Sequence, residues 1–267
     1  MVNADDFGFT PDVNAGIVEA HTRGILTATT LMANGEAFDD AIRLARATPT
    51  LDIGCHIVLI SGCSVMEPER ALPSTVGELL AALALGRRRV YDEMAAQVRR
   101  ILDAGIQPTH LDTHKHTHLA PPVLEALARV SETFRIPWVR RPFDFPLTGG
   151  VAASVPWTRR AASRGLGLLR RRFHDILERH HCRTTEHFAG FQMTGRFRAA
   201  ELVRLLRHLP VGVTEFMCHP GHLGTDLRRA RTRLKQSRAE ELAALTAPEV
   251  RQALRENAIE LVCYRDL

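Results

Sequence analysis

Cysteine and long apolar runs are scarce in this chain, and each scarcity excludes a class of protein. The five cysteines stand apart without a Cys-x-x-Cys spacing, so neither a disulfide framework nor a thiolate zinc site is expected, and a reducing cytoplasm is the predicted compartment. No stretch approaches the roughly 20 apolar residues that cross a bilayer. The N-terminus lacks a basic region followed by an apolar one, so no secretory signal is expected.

Aromatic residues and lysine are also few. Phe, Trp and Tyr make up 6% of the residues, and only Lys115 and Lys235 are lysines, so arginine carries nearly all of the positive charge. The net charge of +5 is modest for 267 residues. Because basic and aromatic residues do not alternate, no nucleic-acid partner is expected.

Strand-like and helix-like segments alternate along the chain without a break in composition. This alternation predicts a single α/β domain over residues 1–267, a distorted TIM-like (β/α) barrel with a parallel sheet. Eight strands are predicted at 1–4, 26–32, 51–60, 108–112, 136–140, 186–191, 213–219 and 258–264. Helices are predicted at 11–23, 36–47, 89–103, 122–132 and 198–209, with two more near the C-terminus.

Polar side chains gather where the predicted strands end. Barrel enzymes build their sites at the carboxyl ends of the strands, so residues far apart in the sequence are expected to converge on one mouth. The groups concerned are Asp5-Asp6, His56, His114, Arg140-Arg141 and His219.

Two adjacent carboxylates stand in the segment "ADDFG" at 4–8. Side chains alternate along a strand, so we expect them to point in different directions, one able to bind a metal while the other handles a proton. A helix cap or a turn is an equally good interpretation, since Asp and Gly favour both. Only two residues precede Asn3, which predicts a short first strand and a looser loop after it.

The histidine-rich stretch "THLDTHKHTHL" occupies 109–119. His110, Asp112 and His114 favour a metal site, because an aspartate beside ligating histidines suits the orientation of an imidazole through its other nitrogen. Three protein ligands and an open water position are typical of a catalytic metal. A polar loop is the alternative. His56, in an apolar strand, is by itself more typical of a hydrogen-bonded core residue than of a ligand.

The segment "MCHPG" places His219 at a strand end, where it could protonate a leaving group. Cys218 beside it suggests a nucleophile, but adjacent strand residues face opposite ways, so we expect Cys218 to pack into the barrel wall.

These motifs together resemble the YdjC-like deacetylase family, which includes chitooligosaccharide deacetylase. The resemblance covers most of the chain and is nearest to the hopanoid-biosynthesis-associated branch, whose implied substrate is an N-acetylglucosaminyl hopanoid. The segments that carry it are "NADDFG" at 3–8, "GILTATTLMANG" at 24–35, "GCH" at 54–56, "THLDTHKHTH" at 109–118 and "CHPG" at 218–221.

The resemblance implies a distorted barrel, often dimeric, that holds one divalent metal ion. It implies Asp6, His56 and His114 as the metal ligands, Asp5 as the catalytic base and His219 as the acid. Two imidazoles and a carboxylate suit zinc better than magnesium, whereas family members are described with magnesium, so both metals stay open. Residues expected to support the site or bind substrate are His110, Asp112, His116, Arg140 and Arg141.

A basic, amphipathic segment at 155–182 is the other distinctive feature. Its apolar residues Leu169, Phe173, Ile176 and Leu177 share one helical face. The favoured interpretation is a barrel helix or dimer contact with a solvated arginine face. The alternative is an interfacial helix that makes peripheral contact with the inner, anionic face of the membrane.

The leading hypothesis is a metal-dependent N-deacetylase acting on an acetylated amino sugar, as a small molecule or a glycolipid. A metal phosphoesterase would need more ligands for a two-metal centre and a glycine-rich phosphate cradle, which the sequence lacks. A non-catalytic, membrane-associated subunit would have no need for the complete set of Asp5, Asp6, His56 and His114.

Overall fold

A computed structural model of the chain describes residues 1–86, 89–147 and 155–267. In these ranges seven strands form one curled, wholly parallel sheet. The strands are β1 (Val2–Phe7), β2 (Ala28–Leu31), β3 (Asp52–Ile57), β4 (His110–Thr113), β5 (Trp138–Val139), β6 (His187–Ala189) and β7 (Thr214–Cys218). Their order is β5-β4-β3-β2-β1-β7-β6, so the predicted distorted (β/α) barrel in a single domain is confirmed.

The two edge strands approach each other without forming a regular ladder. The backbone N–H of Val139 donates to the carbonyl of Arg183 at 2.9 Å, and the N–H of Arg183 donates to the carbonyl of Pro137 at 2.7 Å. Further along, Phe145 donates to the carbonyl of Phe188 at 2.9 Å. These bonds bridge the chain between β5 and β6, so the sheet curls into a nearly closed wall.

Helices connect the strands on the outside of the sheet, and the predicted ones are present. They are α1 (Pro11–Arg23), α2 (Phe38–Ala47), α3 (Val76–Ala84), α4 (Val90–Asp103), α5 (Pro121–Phe134), α6 (Trp157–Leu166), α7 (Arg170–Arg179), α8 (Ala199–Leu206), α9 (Thr225–Arg229), α10 (Gln236–Thr246) and α11 (Pro248–Glu256). The two ends of α1 show why its bounds could be predicted from the sequence. The Thr10 hydroxyl accepts from the Val13 N–H, Pro11 takes the first helical position and Gly24 ends the helix.

Alternation along the strands separates an apolar layer from a polar interior. Odd and even positions of β3 face opposite sides, so Ile53 and Cys55 pack under the helices while His56 faces the inside of the barrel. The same pattern sends Asn3, Asp5, Asp112 and Glu215 inward, all of them buried. The barrel interior is therefore lined with ionisable groups, and the main apolar core lies between sheet and helices.

The eighth predicted strand, at 258–264, is wrong. This segment has no strand pairing, and it crosses the amino-terminal end of the barrel instead. Asp52 accepts hydrogen bonds from the backbone N–H of Tyr264 at 2.8 Å and of Arg265 at 3.2 Å. The Tyr264 ring packs with Met1, Ala28 and Trp138 in a small cluster, so the apolar pattern of the segment serves to plug the barrel rather than to extend the sheet.

None of the described helices is long and apolar enough to cross a membrane. On α7, Phe173, Ile176 and Leu177 are buried in the main core, with Leu169 packed against it, as expected for a barrel helix.

Loss of the Tyr264 ring should destabilise the barrel. The ring stacks on His110 with centroids 3.9 Å apart and packs against Trp138 at 5.8 Å. Truncation of a buried aromatic side chain costs about 3–5 kcal/mol, which for a chain of this size is a fall in Tm of roughly 6 to 20 °C. We expect Tyr264→Ala to show this fall in a thermal melt. Leu261→Ala, at a position 38% exposed, is the control, and equal Tm values for the two variants would contradict the plug.

Candidate active site and metal centre

An irregularity in β1 brings Asp5 and Asp6 to the same place. The register with β2 shifts between Ala4 and Phe7, and Asp6 adopts a left-handed backbone with φ of 72°. A bulge of this kind re-aims a side chain. Both carboxylates are therefore buried inside the barrel mouth, where each has a different arginine as its partner.

Two strand residues and one residue directly after a third strand form a tight triangle at the mouth. Asp6 Oδ1 lies 3.4 Å from His56 Nε2 and 3.2 Å from His114 Nδ1, and the two imidazole nitrogens are 3.3 Å apart. Asp6 and His56 are buried, whereas His114 is 22% exposed at the side chain, so the triangle opens toward solvent on the His114 side.

The triangle fits a divalent metal ion. Bonds of about 2.0–2.2 Å to nitrogen and oxygen place tetrahedral ligands about 3.3–3.6 Å apart, and the three separations of 3.2 to 3.4 Å lie at or just below the lower end of this range. Asp6 Oδ1 is buried, and its near neighbours are the ring nitrogens of His56 and His114, as expected of an atom that shares a cation with them. The other oxygen of Asp6 contacts Arg238, so one oxygen remains for the metal.

The charges around Asp6 keep its side chain ionised, which is the form that can bind a metal ion. Burial alone would raise its pKa, but the Arg238 guanidinium and the hydrogen bonds from His114 and His56 together outweigh that effect. The pKa of Asp6 is therefore held well below its usual range.

Asp112 orients the imidazole of His56. Its Oδ1 lies 2.7 Å from His56 Nδ1, and its Oδ2 accepts from the Thr30 hydroxyl at 3.1 Å. With Nδ1–H donated to Asp112, Nε2 faces Asp6 and His114 and can bind a cation once it has lost its proton, the arrangement usual for a ligating histidine. Burial would lower the pKa of His56, but Asp112 outweighs it and raises the value to about 10.

Arg140 is a buried cation beneath the Asp6–His56–His114 triangle. Its guanidinium is fully buried and contacts Asp5 at 2.8 and 3.0 Å, Asp112 at 2.6 Å and Glu215 at 2.7 Å. Burial would lower its pKa, but these three carboxylates raise it well above the usual value. Arg140 therefore fixes Asp5 through both carboxylate oxygens.

His219 faces Asp5 from the end of β7, with its Nε2 3.8 Å from Asp5 Oδ2. Its backbone N–H donates to Glu241 at 2.6 Å, which anchors the strand end. Burial lowers the pKa of His219 to about 4, so the imidazole is neutral near pH 7. Cys218 packs into the wall as predicted: it is fully buried with its Sγ 3.5 Å from the Asn3 carbonyl, and burial raises its thiol pKa well above the usual value.

Other histidines of the 109–119 stretch lie away from the triangle. His110 is buried one layer below Asp112, stacked on Tyr264, and Gly54 makes room for it, since a Cβ there would lie 2.6 Å from the His110 ring. His118 is also buried, between the Thr113 hydroxyl at 2.5 Å and the Arg140 carbonyl at 3.1 Å. Both are placed as structural residues of the barrel.

His116 and Arg141 lie nearer the rim. His116 follows a left-handed turn and its ring approaches Phe188 and Phe191, with centroids 6.1 and 5.7 Å apart. Arg141 is partly buried, and burial together with Arg170 lowers its pKa. Neither touches the triangle, so substrate contact is the role left open to them.

Four residues of the site escaped the sequence analysis: Thr30, Glu215, Arg238 and Glu241. Glu215 carried a usable signal, because an acid in the apolar strand segment "VTEFMC" needs a buried partner. Arg238 and Glu241 carried none. They stand in "SRAEEL", which has the composition of an ordinary solvated helix, yet both are buried against the mouth.

The family model described as YdjC-like protein matches residues 1–256. The chain belongs to the YdjC-like family. The family predicted from the motifs is thereby confirmed.

Relatives with curated names align with this chain over nearly their full length. A carbohydrate deacetylase from Brevibacillus brevis is 33% identical, covering 100% of this chain and 98% of the relative. A chitooligosaccharide deacetylase from Salmonella enteritidis is 30% identical, with 100% and 98% covered. These names match the enzyme class predicted from the sequence, and none of them distinguishes the hopanoid-associated branch.

A solved structure shares the YdjC-like fold of this chain. A protein from Enterococcus faecalis described as a cellobiose-phosphate cleavage protein superposes with a TM-score of 0.75 at 25% identity, covering 100% of this chain and 97% of the other.

Metal binding should release a proton from His56. In the metal-free protein the raised pKa of about 10 keeps His56 protonated at pH 8, and coordination needs its neutral form. We therefore expect zinc affinity to rise with pH up to about 10 and to level off above that value. Titration calorimetry at about pH 8 in two buffers of different ionisation enthalpy should show about one proton released.

Asp112→Asn is the comparison for this measurement. Without the carboxylate the pKa of His56 falls, so the buffer dependence should vanish while zinc affinity drops by about 10- to 100-fold. Equal heats in both buffers for the unmodified protein would contradict a protonated His56.

Proposed function

We propose that this protein is a metal-dependent carbohydrate deacetylase that hydrolyses the N-acetyl group of an amino sugar. The observation that carries the proposal is the Asp6–His56–His114 triangle with Asp5, a separate carboxylate, beside it. The names of the full-length relatives support the same reaction class.

Asp6, His56 and His114 would hold the ion. When bound, a divalent cation supplies Lewis-acid polarisation of the acetyl carbonyl and acidifies a water molecule. The chain's own residues then have defined tasks. Arg140 holds Asp5 by both oxygens in one orientation, at the mouth and within 4.8 Å of His56, where it can take a proton from an attacking water.

His219 completes the proton path. An amine is a poor leaving group, so the sugar nitrogen must gain a proton as its bond to the acetyl carbon breaks. Because His219 is neutral near pH 7, it cannot begin as the acid expected from the sequence. We propose instead that it receives the proton taken up by Asp5, whose Oδ2 is 3.8 Å away, and passes it to the departing nitrogen. The products are acetate and the free amino sugar.

For the substrate we propose an N-acetylglucosaminyl hopanoid, on the strength of the segments "VNADDFG", "AHTRGILTATTLM" and "GCHIVL". A chitooligosaccharide is the alternative, and the name of the Salmonella relative supports it. The metal identity, a cytoplasmic location and the homodimer stay predictions.

Asp5→Asn should abolish turnover while the metal stays bound. The amide keeps the shape of the carboxylate but cannot accept the water proton, and loss of a general base costs about 10²- to 10⁴-fold in rate. We expect acetate release from N,N′-diacetylchitobiose to fall by this factor, with unchanged zinc content by elemental analysis. Asp226→Asn, an exposed carboxylate, is the matched control and should keep full activity. Loss of metal together with activity would instead make Asp5 a ligand.

Substrate preference should separate the two branches. If the hopanoid assignment is right, kcat/KM for acetate release from an N-acetylglucosaminyl hopanoid in detergent micelles exceeds that for diacetylchitobiose by more than about tenfold, a difference of about 1.4 kcal/mol. A preference for chitobiose by the same margin would reject the hopanoid assignment and leave the deacetylase intact. Treatment with a chelator should abolish both activities.

A further inference from the structure

The segment from Trp157 to Arg179 forms one helical rod on the barrel surface. Helix α6 passes into α7 through a single 3-10 turn, Gly167–Leu169, and the backbone remains helical at Leu166, Gly167 and Arg170. We call residues 157–179 the arginine helix.

The arginine helix concentrates the charge of the molecule. It holds seven arginines against one aspartate and one glutamate, so its formal charge is +5. The whole chain also has a net charge of +5, so the remaining residues together are neutral. A field of one sign therefore emanates from a single surface element.

Two large apolar side chains stand exposed on the same element. Trp157 is 73% exposed and Leu168 is 87% exposed. Trp157, Ala161, Arg164 and Leu168 follow the spacing of i, i+4, i+7 and i+11, so they share one outward stripe about 16 Å long. This stripe lies opposite the face that buries Phe173 and its neighbours in the core.

Four arginines on or beside the stripe have no partner among the described residues. Arg160, Arg164, Arg171 and Arg172 are exposed and make no ion pair or side-chain hydrogen bond within the described ranges 1–86, 89–147 and 155–267. The helix's other arginines are engaged elsewhere. Arg159 donates to the carbonyls of Gln192 and Thr194, Arg170 stacks over Phe143, and Arg179 pairs with Glu125.

We propose that the outer face of the arginine helix docks on an anionic membrane surface. Exposed Trp and Leu insert at the level of the headgroups, where an aromatic ring is favoured, and the unpaired arginines meet anionic lipid phosphates. A nucleic acid would meet the arginines but would give Leu168 no apolar environment. A symmetric contact with a second copy would bring two +5 helices together, which is repulsive.

Docking through this face sets the mouth beside the membrane. Arg159, two residues from Trp157, is bonded to the loop after β6, which lies at the carboxyl end of the sheet where the metal triangle opens. The Trp157 end of the stripe is thus next to the mouth. This part of the inference rests on the proposed function, because it predicts a substrate whose acetylated sugar stands at a bilayer surface.

Vesicle co-sedimentation tests the surface directly. We expect the protein to bind phosphatidylcholine vesicles containing ~30 mol% phosphatidylglycerol, with an affinity that falls as the salt concentration rises. Vesicles of pure phosphatidylcholine should not bind it. Arg164→Gln/Arg171→Gln should weaken binding by about 25-fold, at about fivefold for each charge. The matched control, Arg207→Gln/Arg255→Gln, removes two exposed arginines from other helix ends and should bind as the unmodified protein does.

A second pair of variants tests the apolar part of the proposed membrane contact. Leu168→Ser should weaken binding by at least about tenfold, whereas Val211→Ser, at a residue 98% exposed on a distant loop, should not. Acetate release from soluble diacetylchitobiose should be the same in all four variants, so failure of docking and failure of the deacetylase are distinguishable.

Three outcomes would overturn the proposal. The first is an absence of binding to anionic vesicles. The second is equal loss in the helix variants and their controls. The third is that the arginine helix variants change binding to duplex DNA, or the dimer content in analytical ultracentrifugation, while vesicle binding is unaffected.

Discussion

The barrel depends on one buried cation. Arg140 follows β5 and contacts carboxylates from β1, β4 and β7, so a single guanidinium links four strands across the polar interior. Without it, Asp5, Asp112 and Glu215 would be buried negative charges in close proximity. Removal of one partner from a buried ion pair costs about 3–5 kcal/mol, because the charge left behind has lost its solvent and its counter-ion. Stability and the position of the proposed base therefore share one residue.

The two adjacent aspartates have different proposed roles, and each is held by a different arginine. Asp5 is held by Arg140, and Asp6 by Arg238 together with His56 and His114. Separation of the roles needs the irregular backbone at Asp6, since regular alternation would have sent one carboxylate out of the barrel. A left-handed non-glycine residue carries a cost of about 1–3 kcal/mol, and such costs are concentrated at functional sites.

Local sequence patterns predicted much of the fold because the spacing of apolar residues shows which face of a helix or strand is buried. The period of 3.6 located α1, α4 and α5 to within a few residues, and the strand segments located β1 to β7. The same reasoning failed at 258–264. The apolar spacing there reflects burial of Tyr264 in a small cluster, and burial alone does not show whether a segment pairs with a neighbouring strand. The sequence patterns also gave no sign of Arg238 and Glu241, because a helix whose polar face turns toward a charged barrel mouth has the same sequence pattern as one that faces water.

The sequence by itself determined the family, the order of strands and helices, and which residue types end up near the mouth, because motifs and periodicity are local properties of the chain. Only the tertiary structure decided the partners. It paired Asp112 with His56, buried His110 and His118 as structural residues, and made His219 neutral through burial. Distances between strands and the desolvation of each group depend on residues up to 232 positions apart in the chain, as for Asp6 and Arg238, and no local pattern encodes them.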